Sequence, residues 1–401
     1  MRLVSIVSTL GICTLIFTWV VKLARGFSAF WATVAVGLFM ASYRLTGAWF
    51  DIERLDMLFL FLSMLGLLLA SKSLSPNLSE KSRPLFTIAA ALVLLFAFMT
   101  KQQAILFVIG GFFAYCHSRA KRLSMLFLGT FLTSAVTWVF IADQTTGGGF
   151  SYYCFKVPAG NGIQLSLAKV FLVTDLPVIA PLILPALFGT IAISKHYPRR
   201  DNIQGIFLAW GTVSAFIGSI LSRAHWGGDQ NVLIPFYLFA IIWACIICSG
   251  VEYRTRQQSI LVSLVCLLQF GIFAYRPQAQ LPTVSQETAH SAYTQLIQDL
   301  EKNGEVLCVD HGNMTKAPHF HILGLLDVYH ASKGLPEVVH EAIAGKKYAA
   351  IVVDAEDGLS GLVPDVSTYY TRKHRQGLES SWTVTGFQTP VSGRAVWVYL
   401  P

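Results

Sequence analysis

The chain has 401 residues, of which 54% are hydrophobic and only 13% are charged, and its mean hydropathy is +0.56. A soluble domain carries about 25% charged residues, so this composition excludes an ordinary soluble globule and points to an all-α polytopic membrane bundle. The net charge of +8 gives no argument for a nucleic-acid partner, because much of it lies in short loops between apolar runs, where positive charge sets orientation in a lipid bilayer.

Ten apolar runs follow in chain order, at residues 3–21, 27–43, 57–70, 85–99, 103–116, 123–142, 176–194, 203–221, 232–250 and 259–275. Several are shorter than the roughly 20 residues that cross a bilayer, and 57–70 and 103–116 suit helices partly buried among their neighbours. One set of loops holds 13 lysines and arginines and the opposite set, counted to Arg276, holds 8. The positive-inside rule then puts 51–56, Lys101, Arg223 and everything beyond Tyr275 outside the cytoplasm, in a protein of the cytoplasmic (inner) membrane. Both termini would lie outside, and the expectation that follows is a further span or spans before Met1.

Past Tyr275 the chain turns polar, which divides it into a membrane domain at 1–275 and an extracytoplasmic domain at 276–401. Thr283 followed three residues on by Gln286 reads as a helix start, Ala289, Tyr293, Leu296 and Leu300 recur at helical spacing, and Gly304 ends the helix. Short β-like runs at 305–310, 348–354, 382–387 and 394–400 complete a small α/β domain. His311, His319 and His321 raise a metal site against ordinary loop histidines, with no Cys or HExxH pattern beside them. Cys245 and Cys248 have CxxC spacing but lie inside an apolar run and read as small core residues, and no disulfide is expected.

Four polar groups fall on the outer side: Asp51-Ile-Glu53-Arg54-Leu-Asp56; Thr100-Lys101-Gln102-Gln103; a long Gly-rich loop at 143–164 with Tyr152 and Tyr153; and Ser222-Arg223-Ala-His225-Trp-Gly-Gly-Asp-Gln-Asn231. Carboxylates, cations and glycine loops on one membrane face suit chemistry on a lipid-linked phosphate. Cations bind the phosphate and stabilise it as a leaving group, and a carboxylate takes the proton of an attacking hydroxyl. Each group has a plainer reading. Asp51 or Asp56 would cap the helix that begins near Leu55. Arg54 would pair with Glu53 or Asp51, Lys101 would snorkel to the interface, Arg223 and His225 would be loop charges, and Tyr152 and Tyr153 would join the interfacial aromatic belt.

The segments Gly47-Ala-Trp-Phe-Asp-Ile-Glu-Arg-Leu-Asp-Met-Leu-Phe-Leu60, Phe98-Met-Thr-Lys-Gln-Gln103, Tyr152-Tyr-Cys-Phe-Lys-Val-Pro158 and Ser222-Arg-Ala-His-Trp-Gly-Gly-Asp-Gln-Asn-Val-Leu-Ile-Pro235 resemble bacterial membrane proteins of the GT-C glycosyltransferase superfamily, in particular glycosyltransferase family 39 and the lipid A aminoarabinose transferase type. The resemblance covers about residues 1–300. It implies an inverting transferase of the bilayer, whose donor is a sugar on a polyprenyl phosphate and whose acceptor is a cell-envelope molecule. The family's key acidic residue lies in a first outer loop with no counterpart here, because the chain begins near the family's second span. A second family carboxylate matches Asp51 or Asp56. The resemblance carries phosphate contact onto Lys101 and Arg223.

The resulting expectation is a membrane glycosyltransferase with Asp51 and Asp56 as catalytic candidates. Glu53, Arg54, Lys101, Gln102, Tyr152, Tyr153, Arg223 and His225 are the candidates for binding substrate, and the 143–164 loop would close over it. No cofactor is required by the sequence, and a divalent metal stays open. The alternatives are a catalytically silent assembly or binding protein and a lipid-linked sugar transporter. A transporter calls for charges inside spans and an inverted repeat.

Overall fold

The structure, a computed structural model, describes residues 2–51, 54–160, 162–184, 187, 203–225, 228–251, 256–280, 283–308, 337–353, 366–375 and 396–401. The described chain divides into two compact units, one of residues 1–145 and 163–275, the other of residues 146–162 and 276–401.

The first unit is an all-α bundle of apolar helices. These are α1 (Arg2–Leu23), α2 (Ser28–Ala41), α3 (Asp56–Ser73), α4 (Ser82–Thr100), α5 (Ile105–His117), α6 (Lys121–Thr146), α7 (Leu165–Leu184), α8 (Ile203–Ala224), α9 (Ile234–Val251) and α10 (Arg256–Phe273). Among the described residues seven helices are long and apolar enough to cross a membrane, and α2, α5 and α10 belong to shorter apolar helices. The ten apolar runs therefore meet ten helices, of which seven reach spanning length.

The helices sort by the company they keep. Nearly all of α9 is buried, as its unbroken apolar sequence Ile-Pro-Phe-Tyr-Leu-Phe-Ala-Ile-Ile demands. By contrast α6 buries few of its residues and turns Leu132, Val136, Trp138 and Phe140 outward, a face suited to lipid. Without a hydrophobic force between helices in lipid, close approach falls to small residues. Gly66 on α3 receives Leu94 of α4, where an added Cβ would lie 2.6 Å from Leu94 Cγ. At Gly110 on α5 a Cβ would overlap Ser214 Oγ and stand 3.0 Å from the Trp210 carbonyl of α8. Ser214 Oγ donates to the Leu106 carbonyl at 2.7 Å and fastens the same crossing.

Two expectations are corrected here. The 143–164 stretch is not an open loop: α6 continues to Thr146, and helical turns occupy Gly149–Ser151, Tyr152–Lys156 and Val157–Gly160. The next helix begins at Leu165, well before residue 176. It passes through a widened π turn at Phe171–Asp175, closed by Leu176 N donating to the Phe171 carbonyl at 2.9 Å. Pro177 follows at once, where the proline ring removes a backbone donor.

In the second unit a four-stranded sheet has the order β1-β2-β4-β3, with β1 (Val306–Cys308), β2 (Ala350–Val353), β3 (Thr371–Arg375) and β4 (Val396–Leu400). β1 and β2 are parallel, and the remaining pairs are antiparallel with Ile351 opposite Tyr399 and Lys373 opposite Val398. Period-two alternation covers both faces. Val306, Ala350, Val352 and Val398 pack with Tyr293, Ile297 and Leu300 of α11 (Val284–Glu301). Leu307, Ile351 and Tyr399 pack with Val339, Ala342 and Ile343 of α12 (Glu337–Ala344). An α/β unit thus follows the bundle, its helix starting after Thr283 as expected. The expected strand at 382–387 lies outside the described residues, as do His311, His319 and His321.

Candidate functional site

The acidic segment before α3 is pinned to the bundle by its own apolar residues. Gly47 (φ 80°) and Ala48 (φ 57°) turn the chain through the left-handed region, at which glycine meets no steric cost. Phe50 then stacks on Phe39 at 4.6 Å, and its carbonyl accepts from Thr9 Oγ1 at 2.8 Å. Ser5 Oγ donates to the Arg54 carbonyl at 2.9 Å. These ties fix where the two aspartates sit.

They sit differently. Asp51 is at the surface, its carboxylate accepting from Arg2 at 3.1 Å and from the Tyr43 hydroxyl at 2.9 Å. It joins the start of α1 to the end of α2. Asp56 is the first residue of α3, its side chain only 11% exposed, and its Oδ1 accepts from Lys101 Nζ at 2.7 Å and from Asn231 Nδ2 at 3.0 Å. No backbone amide of α3 is bonded to either carboxylate, and the residue at the cap position is Leu55. The helix N-terminus still favours the negative charge, but the oxygens are not consumed as a cap. Among the described residues no hydrogen bond reaches Asp56 Oδ2.

Lys101 follows α4, where an extended backbone (φ −155°, ψ 122°) ends the helix before the turn at Gln102–Ala104. A cation is favourable at a helix C-terminus. The side chain is 27% exposed, and its Nζ lies 5.7 Å from the Phe59 ring centre. An ammonium has three donors; one goes to Asp56, and no other hydrogen bond from Lys101 occurs among the described residues.

A second ion pair stands in the same unit. Arg223, at the end of α8, donates from Nε to Asp175 Oδ2 at 2.9 Å, with side-chain exposures of 15% and 8%. Another guanidinium nitrogen donates to the Gly228 carbonyl, and Tyr237 of α9 donates to the Asp175 carbonyl at 2.6 Å. The chain between α8 and α9 is tied at several further points. His225 forms a bridge with Ile163, Ser219 Oγ donates to the Val232 carbonyl at 2.6 Å, and Asp229 caps the turn Gln230–Leu233 through the Gln230 amide. Gly228 is required by close approach, since a Cβ there would fall on the Ser222 carbonyl. Asn231, which reaches Asp56, sits in this turn.

The structure therefore brings Asp56, Lys101 and Asn231 together, and places Arg223 with Asp175. Arg54 lies over the Trp49 ring at 4.8 Å, a cation–π arrangement. Gln102 occupies the turn after Lys101. Glu53 lies outside the described residues. Tyr152 and Tyr153 belong to the second unit, edge to face at 5.0 Å, with Lys156 Nζ 5.5 Å from the Tyr152 ring. Among the described residues no group of three or more His, Cys, Asp and Glu could hold a metal. Asn231 and Asp175 were not singled out by sequence reasoning. Asn231 lies in a quoted polar segment, and Asp175 is the sole acidic residue between 165 and 184.

No protein-family model matches the chain, and no curated protein matches it. Among solved structures it is similar to the apo crystal structure of ArnT from Cupriavidus metallidurans. The two are 12% identical, the match covers 99% of this chain and 83% of that one, and the TM-score is 0.58. An oligosaccharyltransferase from Archaeoglobus fulgidus, crystallised with Zn and sulfate, is 11% identical and matches 94% of this chain and 59% of its own, with a TM-score of 0.47. In fold, the chain is similar to ArnT, and it is built as an apolar helical bundle followed by an α/β unit.

Proposed function

We propose that the chain is an integral-membrane glycosyltransferase that moves a sugar from a polyprenyl-phosphate donor to a hydroxyl of a cell-envelope acceptor. The observation that carries this reading is the Asp56–Lys101 pair: a cation that spends one donor among the described residues, 2.7 Å from a carboxylate that is not a helix cap. Lys101 holds the donor phosphate and stabilises the charge that grows on it as the sugar–oxygen bond breaks. The acceptor hydroxyl forms the new bond at the sugar carbon, on the side opposite the departing phosphate, and gives its proton to Asp56 Oδ2. The products are an inverted glycoside and polyprenyl phosphate, with the proton released to water. The 276–401 portion lies outside the cytoplasm in this reading, on the side that the sparser basic loops indicate.

The first test is binding. The full chain in lipid nanodiscs should take up undecaprenyl phosphate, read by native mass spectrometry, and Lys101→Ala should weaken that binding about 10- to 150-fold, the equivalent of losing a charge-assisted hydrogen bond. Equal affinity in the two proteins would remove the donor role from Lys101.

A further inference from the structure

The Asp175–Arg223 pair is not needed to hold substrate in this scheme, yet both of its side chains are largely enclosed, at 8% and 15% exposure. An ionisable group within an apolar helix of a membrane protein is costly and is retained when it has a partner and a task. Here the partner is Arg223, and the task is visible in what Arg223 does with its other donor. By bonding the Gly228 carbonyl it folds the start of the α8–α9 connection back onto the end of α8. The backbone carbonyl of Asp175 in turn accepts from the Tyr237 hydroxyl. Asp175 is the last residue of the π turn at Phe171–Asp175, and its Oδ2 lies 2.9 Å from Arg223 Nε. Three residues beyond Gly228 comes Asn231, whose amide shares Asp56 Oδ1 with Lys101.

We infer that Asp175, acting through Arg223, is a positioning residue of the site: it clamps residues 228–231 so that Asn231 donates to Asp56 and loosens that carboxylate's hold on Lys101. An amide proton on Oδ1 withdraws charge from the oxygen that Lys101 also uses. Lys101 is then freer to turn toward a donor phosphate, and Oδ2 stays open. Without the clamp, Asn231 drifts, the Asp56–Lys101 pair closes on itself, and phosphate binding falls although both residues are intact.

This inference rests on the reading of Lys101 as the donor-phosphate contact, and the test separates the two. In full-length protein in nanodiscs, hydrogen exchange of residues 228–233 and affinity for undecaprenyl phosphate are measured for wild type, Asp175→Asn, Asn231→Ala and the Asp175→Asn/Asn231→Ala combination. Asp175→Asn leaves Arg223 without its counter-ion; if that variant fails to fold, the neutral pair Asp175→Asn/Arg223→Gln replaces it, alone and combined with Asn231→Ala. Exchange at 228–233 should quicken in the clamp variant and stay unchanged in Asn231→Ala. Each single change should weaken phosphate binding about 2- to 30-fold, and the combination should be no weaker than Asn231→Ala alone, because both act through one contact. Unchanged exchange in the clamp variant, or losses that multiply in the combination, would overturn the inference. If wild type binds no undecaprenyl phosphate, the donor reading falls, and the exchange result alone upholds or overturns the clamp.

Discussion

The two single losses at the Asp56–Lys101 pair should sum to more than the loss in the double variant, and they should be unequal. At 2.7 Å the gross attraction is about 6 kcal/mol at an effective dielectric constant near 20, opposed by the desolvation of both groups. Lys101→Met leaves Asp56, 11% exposed, with Asn231 as its sole donor among the described residues, and should destabilise the bundle by about 3 kcal/mol, the low end for an orphaned buried charge. Asp56→Asn should cost only about 1–2 kcal/mol, because Lys101 is 27% exposed and its stem lets the ammonium reach the interface. The double variant leaves no orphaned charge and should cost about 2 kcal/mol, so the coupling is on the order of 2–3 kcal/mol. Reversible unfolding in mixed detergent–SDS micelles, followed by helical circular dichroism, gives all four corners of the cycle. Additivity within about 0.5 kcal/mol would refute the argument that the pair is enclosed and interacting.

Gly228→Ala should lower the unfolding midpoint, because its Cβ meets the Ser222 carbonyl and a strained backbone shift costs about 1–3 kcal/mol; an unchanged midpoint would contradict the close turn. A reporter active only outside the cytoplasm, fused after Pro401, should be active, and activity of a cytoplasm-only reporter at that point would reverse the orientation. Burial, then Glu305, then Tyr370 push the Tyr348 hydroxyl up to about 12, whereas an unfolded tyrosine titrates near 10. Between those values the unfolded chain releases a proton that the folded one keeps, so the α/β unit should lose stability as pH rises from about 10 to 12 and none through this group below 10. Tyrosine near-ultraviolet dichroism should show that loss, and Tyr348→Phe should flatten it; an identical curve in the variant would assign the loss elsewhere.

The bundle was legible because each apolar run carries its own signal, and all ten meet a helix. The boundary before α7 was misread for local reasons. Gly147, Gly148 and Gly149 punctuate the chain and suggest a loop, and Asp175 with Pro177 looks like the edge of a span. The helix instead widens by one π turn and continues, with Arg223 supplying the counter-charge. β3 was missed because Thr371-Arg-Lys-His-Arg375 has no apolar alternation; among the described residues it pairs on one side only, with β4, and charge is common on such edges. Lys101 and the acidic segment could be found as polar groups at the ends of apolar runs. That Asp56 rather than Asp51 meets Lys101 could not, since Asn231 reaches it from 175 positions away and only tertiary packing creates that contact.

Turnover is the most direct test of the proposed function. The full chain in liposomes is supplied with undecaprenyl-phosphate-linked sugars and an envelope extract, and free undecaprenyl phosphate is quantified by mass spectrometry. Release that depends on the extract, and that falls roughly 10²–10⁴-fold in Asp56→Asn while the protein still inserts and folds, is the predicted result. Release at the wild-type rate in Asp56→Asn, or none from wild type with any linked sugar, would contradict it.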